Sequence, residues 1–186
     1  YPSISPDGTK IAFNYQGDIF VVNSSGGQSL QLTSNTAYDY NAIWAPDGKS
    51  IAFASNRHGN FDVFTMNAEG GSPKRLTFHS SDDVPQDYSP NGDKIIFGAR
   101  RLDHVKSIQF PYAGLEELYE VPTAGGREKQ FITVASEMAQ FNSDGSKIIF
   151  QNRKGYEDPW RKHHTSSVTR DLVMYDVNTK KYTMVT

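Results

Sequence analysis

The chain has 186 residues, 37% hydrophobic and 22% charged, a balance typical of a folded globular protein and not of a disordered one. Its formal net charge of −2 argues against a general binder of nucleic acids or acidic membranes. The absence of cysteine excludes disulfides and thiolate metal sites, and apolar runs of only a few residues are too short to span a membrane.

A turn followed by a short apolar strand occurs four times along the chain. The turns have the form Ser-Pro-Asp-Gly or a close variant, and their glycines are Gly8, Gly48, Gly92 and Gly145. Proline presets φ, aspartate accepts local backbone hydrogen bonds and glycine adopts positive φ, as a tight turn requires. A unit that repeats every 40 to 53 residues indicates stacked supersecondary units.

The strands of each unit follow in the same order. Unit two has an apolar stretch at 42–44, a brief strand at 51–53, a β-branched and aromatic strand at 61–66 and a last strand beginning at Lys74. The third strands of the other units have the same character and are predicted at 18–22, 117–121 and 171–175. No stretch has the pattern of a capped amphipathic helix.

Four-stranded antiparallel meanders of this period are typical of the blades of a β-propeller. The predicted fold class is therefore all-β, a β-propeller with four blades present that is part of a larger, six- or seven-bladed propeller. We predict a single propeller segment over 1–186, with blades at about 1–37, 38–82, 83–135 and 136–186. A bulky residue precedes each first turn and is predicted to pack between adjacent blades: Ile4, Trp44, Tyr88 and Phe141.

These repeats resemble the TolB and tricorn group of propellers, whose blades carry a Ser-Pro-Asp-Gly turn, a Leu/Ile-Ala-Phe strand, an Asp-Ile-Tyr strand and a terminal Leu-Thr. The opening residues 1–8 and the segment 160–171 resemble the N-terminal propeller of bacterial tricorn-like serine peptidases. The resemblance implies further blades, a PDZ-like domain and a separate catalytic domain, which no segment here matches. It implies a non-catalytic propeller segment that gates or guides peptide substrates and docks the protease domain of a parent serine peptidase.

The same resemblance implies partners and a location. The expected partners are the remaining blades and protease domain of the parent chain and peptide substrates, with a homo-oligomer left open. No nucleic acid, transmembrane segment, cofactor or metal is expected. We expect export to the bacterial periplasm, with a cytoplasmic location left open, and a chain trimmed from a longer protein, because Tyr1 already lies in the first repeat. The alternatives are a TolB-like envelope protein-binding propeller without enzyme activity and the propeller of a prolyl-oligopeptidase-type enzyme.

Units three and four carry insertions between their second and third strands, predicted at about 98–115 and 151–169. Each insertion has a net charge of +2, which leaves −6 on the rest of the chain. Equivalent loops of successive blades emerge on one side of a propeller, where a basic and aromatic surface can dock a domain or guide peptides by their carboxylates. The alternative is solvated loops that cover the blade edges. The candidate contact residues are Arg100, Arg101, Lys106, Tyr112, Arg153, Trp160, Arg161, Lys162, His163 and His164.

Three other groups of polar residues receive structural interpretations. The histidines and serines of 163–167 with Asp171 contain the residue types of a catalytic triad, but adjacency in one loop does not supply its geometry, so no catalytic residue is predicted. Asp82, Asp83 and Asp87 lack the spacing of a calcium loop. An acidic residue recurs in register in every third strand, which indicates structural hydrogen bonding: Asp18, Asp62, Glu117 and Asp171.

Overall fold

The computed structural model describes residues 2–101, 115–154 and 169–186, which form four sheets of four strands. The first sheet contains β1 (Ser3–Ile4), β2 (Lys10–Tyr15), β3 (Asp18–Asn23) and β4 (Leu30–Gln31). The second contains β5 (Asp39–Trp44), β6 (Ser50–Ser55), β7 (Asp62–Asn67) and β8 (Lys74–Arg75). The third contains β9 (Asp83–Tyr88), β10 (Lys94–Ala99), β11 (Glu117–Pro122) and β12 (Lys129–Ile132). The fourth contains β13 (Ser136–Phe141), β14 (Lys147–Lys154), β15 (Thr169–Asp176) and β16 (Lys181–Met184).

Each sheet is an antiparallel meander in which strands adjacent in sequence are paired. The four sheets follow one another along the chain as consecutive blades, and the Asp-Gly and Asn-Gly turns join first to second strands. The predicted all-β propeller segment is confirmed. In the part of the chain that the structure describes, no helix is long and apolar enough to cross a membrane.

The first strands of the blades form the inner wall of the propeller, because β1, β5, β9 and β13 contact one another in succession. In such a meander the 1–2 and 3–4 turns project from one end, which we call the turn face. The 2–3 connections and the links between blades project from the other end, which we call the loop face. The insertions on the loop face begin later than predicted, because residues 98–99 complete β10 and residues 151–154 complete β14.

The hydrophobic core consists of three layers, one between each pair of neighbouring blades. The predicted packing residues Trp44 and Tyr88 are only 7% and 4% exposed, and Phe141 packs partly buried between blades three and four. The prediction is wrong for Ile4, which is 67% exposed. Ile4 lies on the side of the first blade that has no neighbouring blade among the described residues.

The fourth blade also exposes a face that is buried in the third. Ile149 occupies the position of Ile96 in the second strand, yet the two are 40% and 0% exposed. Val185, directly after β16, occupies the position that Ile132 has at the end of β12, and these are 52% and 2% exposed. The four blades therefore form an open segment with apolar blade faces at both ends, consistent with part of a larger propeller.

The first turns also pack against one another across the turn face. Gly92 and Gly145 have φ values of +74° each, which disfavour any other residue. A Cβ at Gly92 would lie 3.6 Å from Cδ of Pro46, and a Cβ at Gly145 would lie 3.3 Å from Cδ of Pro90. Glycine thus permits the turn conformation at both positions, and at position 145 it also avoids a tight contact with the proline of the preceding blade.

Asp87 joins blades three and four at the inner wall. Its Oδ2 accepts a hydrogen bond of 2.8 Å from the backbone N–H of Phe141, and its Oδ1 accepts one of 2.9 Å from the backbone N–H of Tyr88. Burial raises the pKa of Asp87, and the two backbone donors act in the opposite direction. This geometry assigns Asp87 a role in joining blades.

We predict that Asp87→Ala lowers the free energy of unfolding by about 1–3 kcal/mol, because two backbone N–H groups lose their acceptor. Chemical denaturation followed by tryptophan fluorescence measures the change. Gln140→Ala is the matched control, since Gln140 is exposed at the equivalent position of the next first strand. Equal stability of Asp87→Ala and Gln140→Ala would contradict the assignment.

Candidate functional site

Three of the predicted contact residues lie in the part of the chain that the structure describes. Arg100 is exposed directly after β10, and Arg101 follows it with a side chain only 11% exposed. Arg153 lies on β14, not in a loop, and its Nη1 is 3.2 Å from Oε1 of Glu137. The other predicted contacts lie outside the described residues: Lys106, Tyr112, Trp160, Arg161, Lys162, His163 and His164. Contact of any of these residues with peptide or another domain stays a prediction.

Arg101 is held by two carboxylates and two aromatic rings. Its Nη2 is 2.8 Å from both oxygens of Asp83 and 2.5 Å from Oε2 of Glu128. Its guanidinium carbon lies 5.3 Å from the ring centroid of Phe97 and 4.4 Å from that of Tyr119. Its positive charge is therefore compensated locally, and it contributes little to the positive surface expected on the loop face.

Blade two contains a similar arrangement around Arg57. Arg57 follows Phe53 by four residues, as Arg101 follows Phe97. Arg57 Nη2 is 3.0 Å from Oδ2 of Asp39, and its guanidinium carbon lies 5.7 Å from the Phe53 ring and 4.6 Å from the Phe64 ring. A residue that recurs with equivalent partners in successive blades stabilises the blade. This repetition indicates that the first role of Arg101 is structural.

Asp83 begins the first strand of blade three, and its backbone N–H donates a 2.7 Å hydrogen bond to the carbonyl of Phe61 in blade two. Its side chain is fully buried. Burial raises the pKa of Asp83 to about 7, and the hydrogen bonds and charge of Arg101 act in the opposite direction. The contact between blades two and three thus contains a carboxyl group that titrates near neutral pH.

The raised pKa of Asp83 predicts a pH dependence of stability. Between its unfolded value near 4 and its folded value of about 7, the folded state binds more protons, so this group's contribution to stability falls as pH rises. We expect Asp83→Asn, which does not titrate, to weaken this fall between pH 4 and pH 7. Denaturation at a series of pH values measures it.

Asp7→Asn is the control for this experiment. Hydrogen bonds from Thr9 and Ser5 lower the pKa of Asp7 to about 2, so Asp7 affects stability below pH 4 and leaves the interval from 4 to 7 unchanged. A slope for Asp83→Asn equal to that of the unsubstituted protein would contradict the prediction.

Three of the recurring acidic residues of the third strands bind partners within their own blades. Asp18 Oδ2 accepts a 3.0 Å hydrogen bond from Gln31 Nε2, and Glu117 Oε2 accepts one of 2.8 Å from Gln130 Nε2. Asp62 Oδ2 is 2.7 Å from Arg75 Nη2. These contacts join third strands to fourth strands. Across residues 2–101, 115–154 and 169–186, no three or more His, Asp or Glu side chains are grouped to hold a metal ion.

An open groove of about 510 Å³ lies on the inner wall, where β5, β9 and β13 meet. We call it the inner groove. Its lining includes Asn41 and Met138, both with φ of +55°, at equivalent β-bulges of β5 and β13. Positive φ is uncommon for residues other than glycine and is retained where the surrounding structure enforces it, often at functional sites. The Met138 side chain is held exposed in the groove wall.

Glu116 is the carboxylate at the loop-face side of the inner groove. Its Oε1 accepts a 2.6 Å hydrogen bond from Gln86 Nε2, and Gln86 Oε1 accepts one of 2.6 Å from the backbone N–H of Ala139. The chain of contacts joins blades three and four. Burial raises the pKa of Glu116. Gly98 makes room for the group, because a Cβ there would collide with the Glu116 carboxylate.

Sequence reasoning assigned both Gly98 and Glu116 to an insertion or its flank and missed their pairing. A comparison of the repeats contained a signal for this pairing. Gly98 follows Phe97 where blade two has Ala54 after Phe53, and Glu116 precedes the third strand where blade two has Phe61. Two departures from the repeat therefore occur together where the Glu116 side chain lies over Gly98.

We predict that Gly98→Ala destabilises the protein and that Glu116→Ala relieves the destabilisation. The added methyl group displaces the carboxylate, and overpacking of this kind costs about 1–3 kcal/mol. In a double-mutant cycle measured by denaturation, Gly98→Ala should cost less when Glu116 is already alanine. Additive effects of the two substitutions would show that the two residues do not compete for space.

Comparison with known proteins identifies the fold independently. The chain superposes on a putative TolB from Agrobacterium tumefaciens with a TM-score of 0.76 and 17% identity, covering 100% of this chain and 60% of that one. TolB from Acinetobacter baumannii gives 0.70 and 22% identity, with 100% and 42% covered. A puromycin-hydrolyzing peptidase from Mycobacterium tuberculosis gives 0.63 and 14%, with 100% and 28% covered.

At these identities the similarities concern the fold alone, and the chain spans 60% or less of the length of each of these structures. A search of curated proteins returned no match. A family model, described as the Tricorn protease N-terminal beta propeller domain, matches residues 1–186. Because that match extends over all 186 residues, the chain belongs to the family of tricorn protease N-terminal β-propeller domains.

Proposed function

We propose that the chain is a non-catalytic propeller segment of a tricorn-like serine peptidase, which guides peptide substrates and docks the protease domain of its parent chain. The family match over residues 1–186 carries this proposal. A puromycin-hydrolyzing peptidase has a similar fold, so blades of this kind occur in at least one peptidase. On this proposal the chemistry takes place in another domain, and this segment alone has no peptidase activity.

The surfaces of the segment support contacts with further parts of the same protein. The apolar blade faces at both ends, marked by Ile4 and Ile149, suit the remaining blades of the propeller. On the loop face, Tyr38 is 49% exposed and Phe78 is 67% exposed, with the guanidinium of Arg75 4.7 Å from the Phe78 ring. Exposed aromatic rings beside a cation are typical of surfaces that dock other proteins.

The second candidate is a TolB-like protein-binding propeller of the bacterial envelope, which the likeness to two TolB structures favours. The likeness to two TolB structures supports export to the periplasm as the proposed location, with the cytoplasm as the alternative. A peptidase domain in the full-length protein supports the first candidate, and its absence supports the second. An α/β-hydrolase domain would support a prolyl-oligopeptidase-type enzyme instead.

We predict that Arg100 and the basic residues of the fourth-blade insertion promote processing of peptides that end in a free carboxylate. In the full-length protein, Arg100→Glu combined with Arg161→Glu and Lys162→Glu should lower kcat/KM for such peptides by about tenfold. The loss should shrink as salt concentration rises, because salt screens exposed charges.

Arg127→Glu is the matched control, since Arg127 is exposed near the 3–4 turn on the turn face. Circular dichroism checks that the variants stay folded. If the triple variant and the control retain equal kcat/KM and the domains still assemble, the basic residues serve only as a solvated cover of the blade edges.

A further inference from the structure

The inner groove contains a carboxylate that the repeat does not require. The residue before the recurring third-strand acid is Gly17 in blade one, Phe61 in blade two and Arg170 in blade four, and only blade three has an acid there. Glycine at position 98 gives that acid room to lie against the second strand. Glu116 occurs in one blade alone, and Gly98 in the same blade accommodates it. Such a side chain is a candidate for a functional role, because the other blades fold without it.

Glu116 is partly buried and, among the described residues, has no basic partner at contact distance. In the part of the chain that the structure describes, no Lys or Arg nitrogen lies within ion-pair distance of its carboxylate. Its hydrogen bond comes from the neutral amide of Gln86, while Arg100 and Arg153 act on it only from farther away. A partly buried carboxylate without an ion-pair partner is stabilised when an opposite charge approaches it, so Glu116 favours a cationic ligand.

The other acid of the inner groove is already paired. Glu137 Oε1 is 3.2 Å from Arg153 Nη1, and its Oε2 is 3.6 Å from Arg170 Nε. The described residues that line the groove include two glutamates and no lysine or arginine. Glu116 is therefore the groove carboxylate whose charge a ligand can neutralise.

The rest of the lining matches a peptide better than a metal ion. Val84 and Met138 offer apolar surface, and Gln140 offers an amide group that can hydrogen-bond a peptide backbone. Asn41 Nδ2 already donates a 2.6 Å hydrogen bond to the carbonyl of Pro85, which leaves Asn41 Oδ1 as an acceptor. Hard cations such as Ca²⁺ need about six to eight oxygen ligands, which one carboxylate and a few amides do not provide. A volume of about 510 Å³ lies within the range of about 300–1,000 Å³ typical of ligand-binding clefts.

We propose that the inner groove binds the ammonium group of a peptide, with Glu116 as its counter-charge and Gln86 orienting the carboxylate. This inference rests on the proposed function, in which the propeller guides peptides. The ammonium group comes from the peptide's amino terminus or from a lysine side chain, and the chemistry of recognition is the same. Met138 and Val84 then contact the adjacent side chains of the peptide.

The test measures binding of short peptides to the full-length protein after its serine nucleophile has been blocked with a fluorophosphonate. Three probes are titrated calorimetrically: Ala-Leu-Gly-Ala with a free amine, the same peptide N-acetylated, and N-acetyl-Ala-Lys-Gly-Ala. Glu116→Gln removes the charge and keeps an oxygen acceptor for Gln86. Glu69→Gln is the matched control, because Glu69 is 70% exposed on the turn face.

We expect Glu116→Gln to weaken binding of the free-amine peptide, the lysine peptide or both by about tenfold or more. Binding of the N-acetylated peptide should be unchanged by Glu116→Gln, and Glu69→Gln should resemble the unsubstituted protein with every probe. Sensitivity of the free-amine peptide alone assigns the amino terminus as the cation, and sensitivity of the lysine peptide alone assigns the side chain.

Two results would overturn the inference while the proposed function stands. One is peptide binding that Glu116→Gln does not weaken, and the other is an equal loss for all three probes, which would indicate a change in groove shape. If the unsubstituted protein binds none of the probes, both the inference and the peptide-guiding part of the proposed function fail.

Discussion

The structure depends on the packing of one blade against the next. Each four-stranded meander has apolar side chains on both faces, so a blade with one neighbour leaves half of its apolar surface in water. Ile96 is fully buried between blades three and four, whereas Ile149, its counterpart at the open end, is 40% exposed. The same constraint explains why turns, strand lengths and aromatic positions repeat, since every interior blade must fit two similar neighbours.

Polar contacts fix how the blades are placed once the apolar faces meet. The backbone N–H of Asp39, Asp83 and Ser136, each the first residue of a blade, donates to a carbonyl just before the third strand of the preceding blade. Two of these residues also bind an arginine from their own blade, Arg57 or Arg101, which stacks on the core aromatics. The buried charges are thus paired where two blades join.

A repeat fold makes its exceptions informative, because the repeated residues already account for stability. Arg101 is a weak candidate for a contact residue, because Arg57 has a similar environment in blade two. Glu116 gains interest for the opposite reason, since it has no counterpart in the other blades and lies in the inner groove beside strained bulge residues. Function in such a fold resides in sites added to the scaffold, not in the scaffold.

The sequence by itself determined the blade architecture, because turn chemistry and strand alternation are local and each unit repeats them. It also indicated that the third-strand acids are structural, since recurrence in register is visible without coordinates. Only the tertiary structure decided which charges are paired, because Arg101 and Asp83 are 18 residues apart and meet across two strands. It alone brought Glu116, Gln86 and Gly98 together, since contacts between strands and between blades depend on register and on β-bulges that a single sequence does not specify.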